Sequence, residues 1–258
     1  MYHQLWFVQA VSDASVPPYD TQYTIRNLRS GTYMDLANTT PYANGATLIG
    51  RARGGASQHW FIRPDQAGTM RICNCVTETY IDLNEGISSK GAVISGWDWV
   101  GYGQPRYNQL WNFERVSTSS KEIRQRLEDF PSICKELQVL RPDGIYLIVP
   151  PAIIQNIHSQ NGLGPSRCKR GLFEEDDFAF VLKAAIATWG DQNLRADGFG
   201  LHCGIIFVDT EKDQRGHAVN WTLSSHRADA SLLLVEPQDG GIREIIPDDC
   251  RKVHVAIF

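Results

Sequence analysis

The sequence predicts two domains, an all-β array of repeats followed by an α+β domain, and three observations predict it. The chain has 258 residues, more than one core of ordinary size needs. Self-similar blocks fill its first half, and helical spacing of apolar residues appears only after them. Hydrophobic residues at 42% and charged residues at 21%, with a mean hydropathy of -0.29, describe a chain that buries sizeable cores and exclude disordered and fibrous classes. No run approaches the roughly 18 consecutive apolar residues of a membrane-crossing helix. Lys+Arg 25 against Asp+Glu 29 leaves a net charge of -4. Without a basic stripe to neutralise phosphates, no nucleic-acid partner is expected.

The repeats come first along the chain. Thr32-Tyr33-Met34-Asp35-Leu36 returns as Thr79-Tyr80-Ile81-Asp82-Leu83, and Asn44-Gly45-Ala46-Thr47-Leu48-Ile49-Gly50 returns as Lys90-Gly91-Ala92-Val93-Ile94-Ser95-Gly96. Gln58-His59-Trp60 returns as Gln109-Leu110-Trp111, and an earlier copy stands at Gln4-Leu5-Trp6. The period is about fifty residues, within the range of repeat architectures. Each unit consists of short runs rich in Tyr, Ile, Leu and Val broken by Gly and Asn, which is strand-and-turn chemistry. One such unit cannot bury its own apolar face, so the units must stack.

These residues resemble the ricin B-type β-trefoil lectins, whose repeats each carry a Gln-x-Trp near their end. The resemblance implies a carbohydrate-binding trefoil over residues 1–116, with its first repeat largely missing because the first Gln-x-Trp begins at residue 4. A trefoil left open in this way is expected to expose strand edges. A sugar site needs a carboxylate or amide to hold vicinal hydroxyls and an aromatic face for the ring's C–H side. The second full repeat offers Asp82, Trp97, Asn108 and Gln109 in the order the resemblance implies. The first full repeat keeps Asp35 and Gln58, but Arg51 stands where the aromatic would lie and Ser57 where the Asn would lie. The second site is therefore the expected binder, of galactose-type glycans on glycoproteins or glycolipids. Trp60 and Trp111 are expected in the core.

Residues 117–130 read as a polar linker with a short helix. Ser117-Thr118-Ser119-Ser120 is polar, Ser119-x-x-Glu122 is a capping box, and Ile123, Leu127 and Phe130 share a helical face. In the following domain, 131–258, Pro142-Asp143-Gly144 is a turn ahead of an apolar strand, Ile145 to Val149, which Pro150-Pro151 ends. Phe178, Val181, Leu182, Ala185, Ile186 and Trp189 have helical spacing. Strands are expected at Cys203 to Val208, His217 to Leu223 and Ser231 to Glu236. Helix and strands together make an α+β domain.

Four acids, Glu174-Glu175-Asp176-Asp177, open that helix, with His217 and Glu236 on later strands. Helix start, histidine on a strand and acid on the next strand form a papain-like layout, in which helix dipole and imidazolium lower a cysteine's pKa and the acid orients the imidazole. The half-chain resembles the C-terminal domain of the Marasmius oreades agglutinin type of fungal chimeric lectins, a trefoil fused to a calcium-dependent cysteine protease. His217 matches the base and Glu236 the orienting acid of that family. Glu175 stands at the place of the cysteine. A carboxylate is electrostatically comfortable at a helix N-terminus but performs no thiolate chemistry. Cys168 and Cys203 do not sit on the helix start.

Two functions follow as expectations. The first is a lectin whose protease-like domain serves as a dimerising or regulatory module. The alternative is a calcium- or metal-dependent hydrolase built on Glu175, His217 and Glu236. Glu174, Asp176, Asp177 and Glu236 supply hard oxygen ligands suited to calcium, and the resemblance implies a homodimer. The six cysteines show no zinc or disulfide spacing, and so are expected as buried thiols of a reducing environment. Met1 to Ala10 carries no basic start and no apolar run, so no signal peptide is readable, and a cytoplasmic location or leaderless secretion is expected.

Overall fold

The computed structural model describes residues 4–11, 21–65, 68–99, 107–129, 133–140, 144–164, 166–209, 217–227, 229–245 and 252–257. The chain divides into two compact units, Met1–Glu114 with Leu194–Asp197, and Arg115–Asn193 with Gly198–Phe258. No helix among the described residues is long and apolar enough to cross a membrane.

The first unit holds β1 (Trp6–Ala10), β2 (Gln22–Asn27), β3 (Tyr33–Leu36), β4 (Ala46–Arg51), β5 (Trp60–Pro64), β6 (Met70–Asn74), β7 (Tyr80–Leu83) and β8 (Ile94–Trp97). They form one sheet in the order β1-β2-β3-β4-β8-β7-β6-β5, with β2 also pairing to β5. β1 ends this order and leaves Trp6 and Val8 exposed. The sequence repeat is a structural repeat. Asn27 Oδ1 accepts the backbone N–H groups of Arg29 and Ser30, as Asn74 Oδ1 accepts those of Val76 and Thr77. Each of these Asx turns joins two paired strands, β2 to β3 or β6 to β7. Trp60 is fully buried and its Nε1 donates to the Met34 carbonyl at 3.1 Å, while Trp111, partly buried, donates to the Ile81 carbonyl at 3.0 Å. Ile25, Leu36, Ile72 and Ile81 pack around them. The polar end of each indole thus finds a main-chain acceptor inside an apolar core.

The second unit holds β9 (Ser117–Ser119), α1 (Ser120–Glu128), β10 (Ile133–Leu140), β11 (Ile145–Ile148), α2 (Pro151–Gln160), α3 (Glu175–Asn193), β12 (Gly200–His202), β13 (Gly204–Asp209), β14 (His217–Leu223), β15 (Leu232–Val235), β16 (Ile242–Glu244) and β17 (Lys252–Ile257). One sheet runs β10-β17-β13-β14-β15-β16 and a smaller one β12-β11-β9. Ile123 and Leu127 of α1 join Tyr146, Ile206, Val219 and Trp221 in one core; Ile154, Phe178, Leu182 and Ile186 of α2 and α3 join Cys203 and Val235 in another. Alternate residues of β14 serve opposite faces, as a pleated strand requires.

The capping box forms as expected, with the Ser119 side chain accepting from the Glu122 N–H and the Glu122 carboxylate accepting from the Ser119 N–H. Arg115 pairs with the same carboxylate, and that contact holds it below the usual carboxylate range. Ser117–Ser119, expected as linker, is instead β9, paired antiparallel to β11. Pro150-Pro151 ends β11 and also begins α2, because proline at the first helical position loses no hydrogen bond. β10 and β17, a parallel pair, have no local signature in sequence. Among the cysteines, Cys73 and Cys203 are buried as expected, Cys75 is half-buried, and Cys168 is exposed. Phe130, the turn at Pro142-Asp143, Cys250 and the side chains of Cys134 and His217 lie outside the described residues.

Glycine is required at one repeated position. A Cβ on Gly50 would stand 2.5 Å from Thr32 Oγ1, and one on Gly96 the same distance from Thr79 Oγ1. Gly96→Ala is expected to destabilise the first unit by about 1–3 kcal/mol, seen as a lowered Tm. Gly55→Ala, where a Cβ meets nothing within 4 Å, leaves Tm unchanged.

Candidate functional site

The β7–β8 hairpin pairs Tyr80 with Trp97 and Asp82 with Ser95. With side chains alternating along each strand, Asp82 and Trp97 stand on the same face. Asp82 is 5% exposed and Trp97 36%. Asp82 Oδ2 accepts Asn108 Nδ2 at 2.8 Å and Gln109 Nε2 at 2.9 Å. Gln109 is 0% exposed and also donates to the Asp98 carbonyl at 3.1 Å. It reaches the carboxylate from the core side, so its part in the site is to position Asp82. The outcome is a fixed acceptor beside an exposed indole, with Asn108 half-buried between them and solvent. This is the donor, acceptor and aromatic set that a sugar requires.

The first repeat has the same scaffold and a different chemistry. Gln58, buried, donates to Asp35 Oδ2 at 3.4 Å and to the Ala52 carbonyl at 2.7 Å. Its Oε1 accepts the Gly54 N–H at 2.7 Å. Gln109 Oε1 has no hydrogen-bond partner among the described residues. Arg51 Nη1 lies 3.6 Å from Asp35 Oδ2, and Asp35 Oδ1 is taken by the Leu36 N–H. The carboxylate is therefore neutralised by its neighbour, no aromatic face stands beside it, and Ser57 supplies no amide.

In the second unit, Glu175 is the first residue of α3, exposed to solvent. His217 is the first residue of β14 and pairs with Val208. Glu236 follows β15, half-buried, with Oε1 accepting the Gln238 N–H at 3.3 Å. β14 and β15 are antiparallel, Asn220 opposite Val235, so His217 and Glu236 belong to the same end of that pair. The start of α3 is held there by Asn220, whose Nδ2 donates to the carbonyls of Ala179 at 3.0 Å and Gly204 at 3.3 Å. Sequence reasoning missed Asn220. Its signal was an amide within an apolar strand, a place where a buried polar group needs partners.

The acids at the helix start have structural employment. Asp177 Oδ2 accepts the Glu174 N–H at 2.9 Å, and Glu174 Oε1 accepts the Gly171 N–H at 2.8 Å. Asp177 satisfies the N–H just ahead of the helix and Glu174 one in the loop before it, so both are engaged in holding the helix start. Asp176 is exposed on the same turn. Among the described residues no three Asp, Glu, His or Cys side chains converge to hold an ion. The acids described at the start of α3 therefore do not form an assembled calcium site. Burial pushes the Cys203 thiol up to about 12, so it carries no thiolate at neutral pH. Cys168 lies on the loop before α3 and not at the helix start.

Residues 2–97 match the family model described as ricin-type beta-trefoil lectin domain-like, and residues 146–242 match the model described as agglutinin C-terminal. The chain is similar to the solved "PSL1a-E64 complex" at 29% identity, covering 98% of this chain and 85% of that chain with a TM-score of 0.81. It is also similar to the Polyporus squamosus lectin, solved "bound to human-type influenza-binding epitope Neu5Aca2-6Galb1-4GlcNAc", at 28% identity, 98% and 84% coverage and a TM-score of 0.83. No curated protein sequence matches the chain.

One titration in the second unit is testable. His202 is fully buried, its ring edge-on to Trp221 at 4.7 Å between centroids. Burial first, and the Lys183 charge second, push its pKa down to about 3 from 6.5. The unfolded chain then binds more protons than the folded one between those values, so stability falls as pH drops through that window. Tm of the second unit is expected to fall from pH 6.5 towards pH 3, with a shallower slope in His202→Phe.

Proposed function

We propose, for a chain that joins a ricin-type β-trefoil lectin domain to an agglutinin C-terminal domain as agglutinin-type chimeric lectins do, that it binds galactose-type glycans through its second repeat and that its second domain has lost proteolysis. The observation that carries the reading is Asp82, held by Asn108 and Gln109 beside exposed Trp97. The buried amide fixes the carboxylate before the ligand arrives, so little ordering cost is left to binding. Vicinal hydroxyls donate to Asp82, Asn108 completes the polar contact, and the apolar face of the sugar lies against Trp97. A solved relative bound to a galactose-containing epitope supports the choice of sugar. Asp35, already paired with Arg51, is the weaker site.

In the second domain, a thiolate mechanism needs a sulfur at the start of α3, and Glu175 stands there. A carboxylate attacking a peptide would form an anhydride against a poor amine leaving group, which disfavours cleavage. The domain then acts as a dimerising or regulatory partner of the lectin. Binding to glycan arrays is the test. Asp82→Ala is expected to weaken binding by about ten- to a hundredfold, the worth of charge-assisted hydrogen bonds. Asp35→Ala and Glu175→Ala leave it within about twofold; loss of binding in Glu175→Ala, or its survival in Asp82→Ala, overturns the reading. Glu175→Cys is expected to introduce thiol-reagent-sensitive cleavage of casein that the unaltered chain lacks. Cleavage by the unaltered chain contradicts lost proteolysis.

A further inference from the structure

The loop between β3 and β4 borders the second-repeat site. Gly45 sits against Trp97, since a Cβ there would meet its Cζ3 at 3.7 Å. Asn44 clasps the residue after Trp97: its Nδ2 donates to Asp98 Oδ2 at 2.9 Å and its Oδ1 accepts the Asp98 N–H at 2.6 Å. On this loop Tyr42 is 60% exposed, and its hydroxyl donates to Glu78 Oε2 at 2.7 Å. That hydrogen bond to Glu78 and the charge behind it, with a smaller contribution from Asp98, raise the hydroxyl's pKa.

Both partners stand on costly backbone. Tyr42 has φ 57° and Glu78 φ 59°, in the left-handed region that side chains avoid. The first repeat has Gly31, φ 73°, at the position of Glu78, in the same turn: the Gly31 N–H donates to the Asn27 carbonyl as the Glu78 N–H donates to that of Asn74. Glycine suits that turn, yet the second repeat carries a carboxylate there and aims it at an exposed phenol. Hydroxyl, carboxylate and open aromatic face repeat the chemistry of the Asp82 site on the loop that packs against Trp97. The carboxylates of Asp82, Asp98 and Glu78 disfavour an anionic sugar beside them.

We propose that Tyr42 and Glu78 form a second sugar subsite beside Trp97, so that the second-repeat site takes a neutral glycan of at least two sugars. The proposal rests on the reading of Asp82 as the glycan site. Calorimetry of the full chain with galactose, lactose and sialyllactose tests it. Lactose is expected to bind about tenfold tighter than galactose, and sialyllactose more weakly than lactose. In Tyr42→Ala the lactose to galactose ratio falls to within about twofold, and in Glu78→Gln the sialyllactose to lactose ratio rises. Glu78→Gly relieves the backbone, so its Tm is equal or higher while the lactose to galactose ratio falls; this separates lost recognition from lost folding. An unchanged ratio in Tyr42→Ala, or sialyllactose binding the unaltered chain as tightly as lactose, overturns the subsite alone. Absence of binding to every sugar in the unaltered chain overturns the Asp82 reading and the subsite with it.

Discussion

A buried glutamine amide bound to a buried aspartate carboxylate is the contact on which the lectin half depends. Gln109 reaches Asp82, and Gln58 reaches Asp35. Each bond ties the short turn that ends a repeat to the hairpin at its middle, while the Trp two residues on anchors the same turn to a main-chain carbonyl of that hairpin. Without the amide, a carboxylate 5% exposed would be left with an unmatched desolvation cost. With it, the oxygen is oriented, and a structural bond becomes the rear wall of the proposed binding site.

Duplication of this device lets one copy diverge. In the first repeat the cation of Arg51 sits near Asp35, which turns an acceptor into half of an ion pair. In the second, Trp97 replaces the cation and Asn108 adds an amide. The strand register is the same in both hairpins, so chemistry changed while geometry was kept. The threonine-over-glycine contacts at Gly50 and Gly96 enforce that register through close packing.

The agglutinin C-terminal half uses a comparable economy. Asn220, buried within β14, binds a carbonyl of α3 and one at the start of β13 and so fixes the helix over the sheet. The helix start meets its own needs with Glu174 and Asp177. Glu175 as the first residue of α3 is compatible with the helix dipole, so the fold accommodates a carboxylate there.

Much of the architecture was legible in the amino-acid order. Repeated Gln-x-Trp and Asp-bearing blocks declare two copies of one unit, because identical local chemistry folds identically. The Ser119–Glu122 capping box and the apolar spacing from Phe178 to Trp189 declare α1 and α3, because both depend on near neighbours. The start of α2 at Pro151 was hidden, since Pro-Pro equally ends a strand. β9, β10 and β17 were hidden because pairing partners distant in sequence leave no local trace. Only the tertiary structure decided the chemistry of each acid: that Gln109 lies behind Asp82, that Arg51 covers Asp35, and that Glu174 and Asp177 serve the helix end. Burial and distance set those outcomes, and both arise only when separate segments meet.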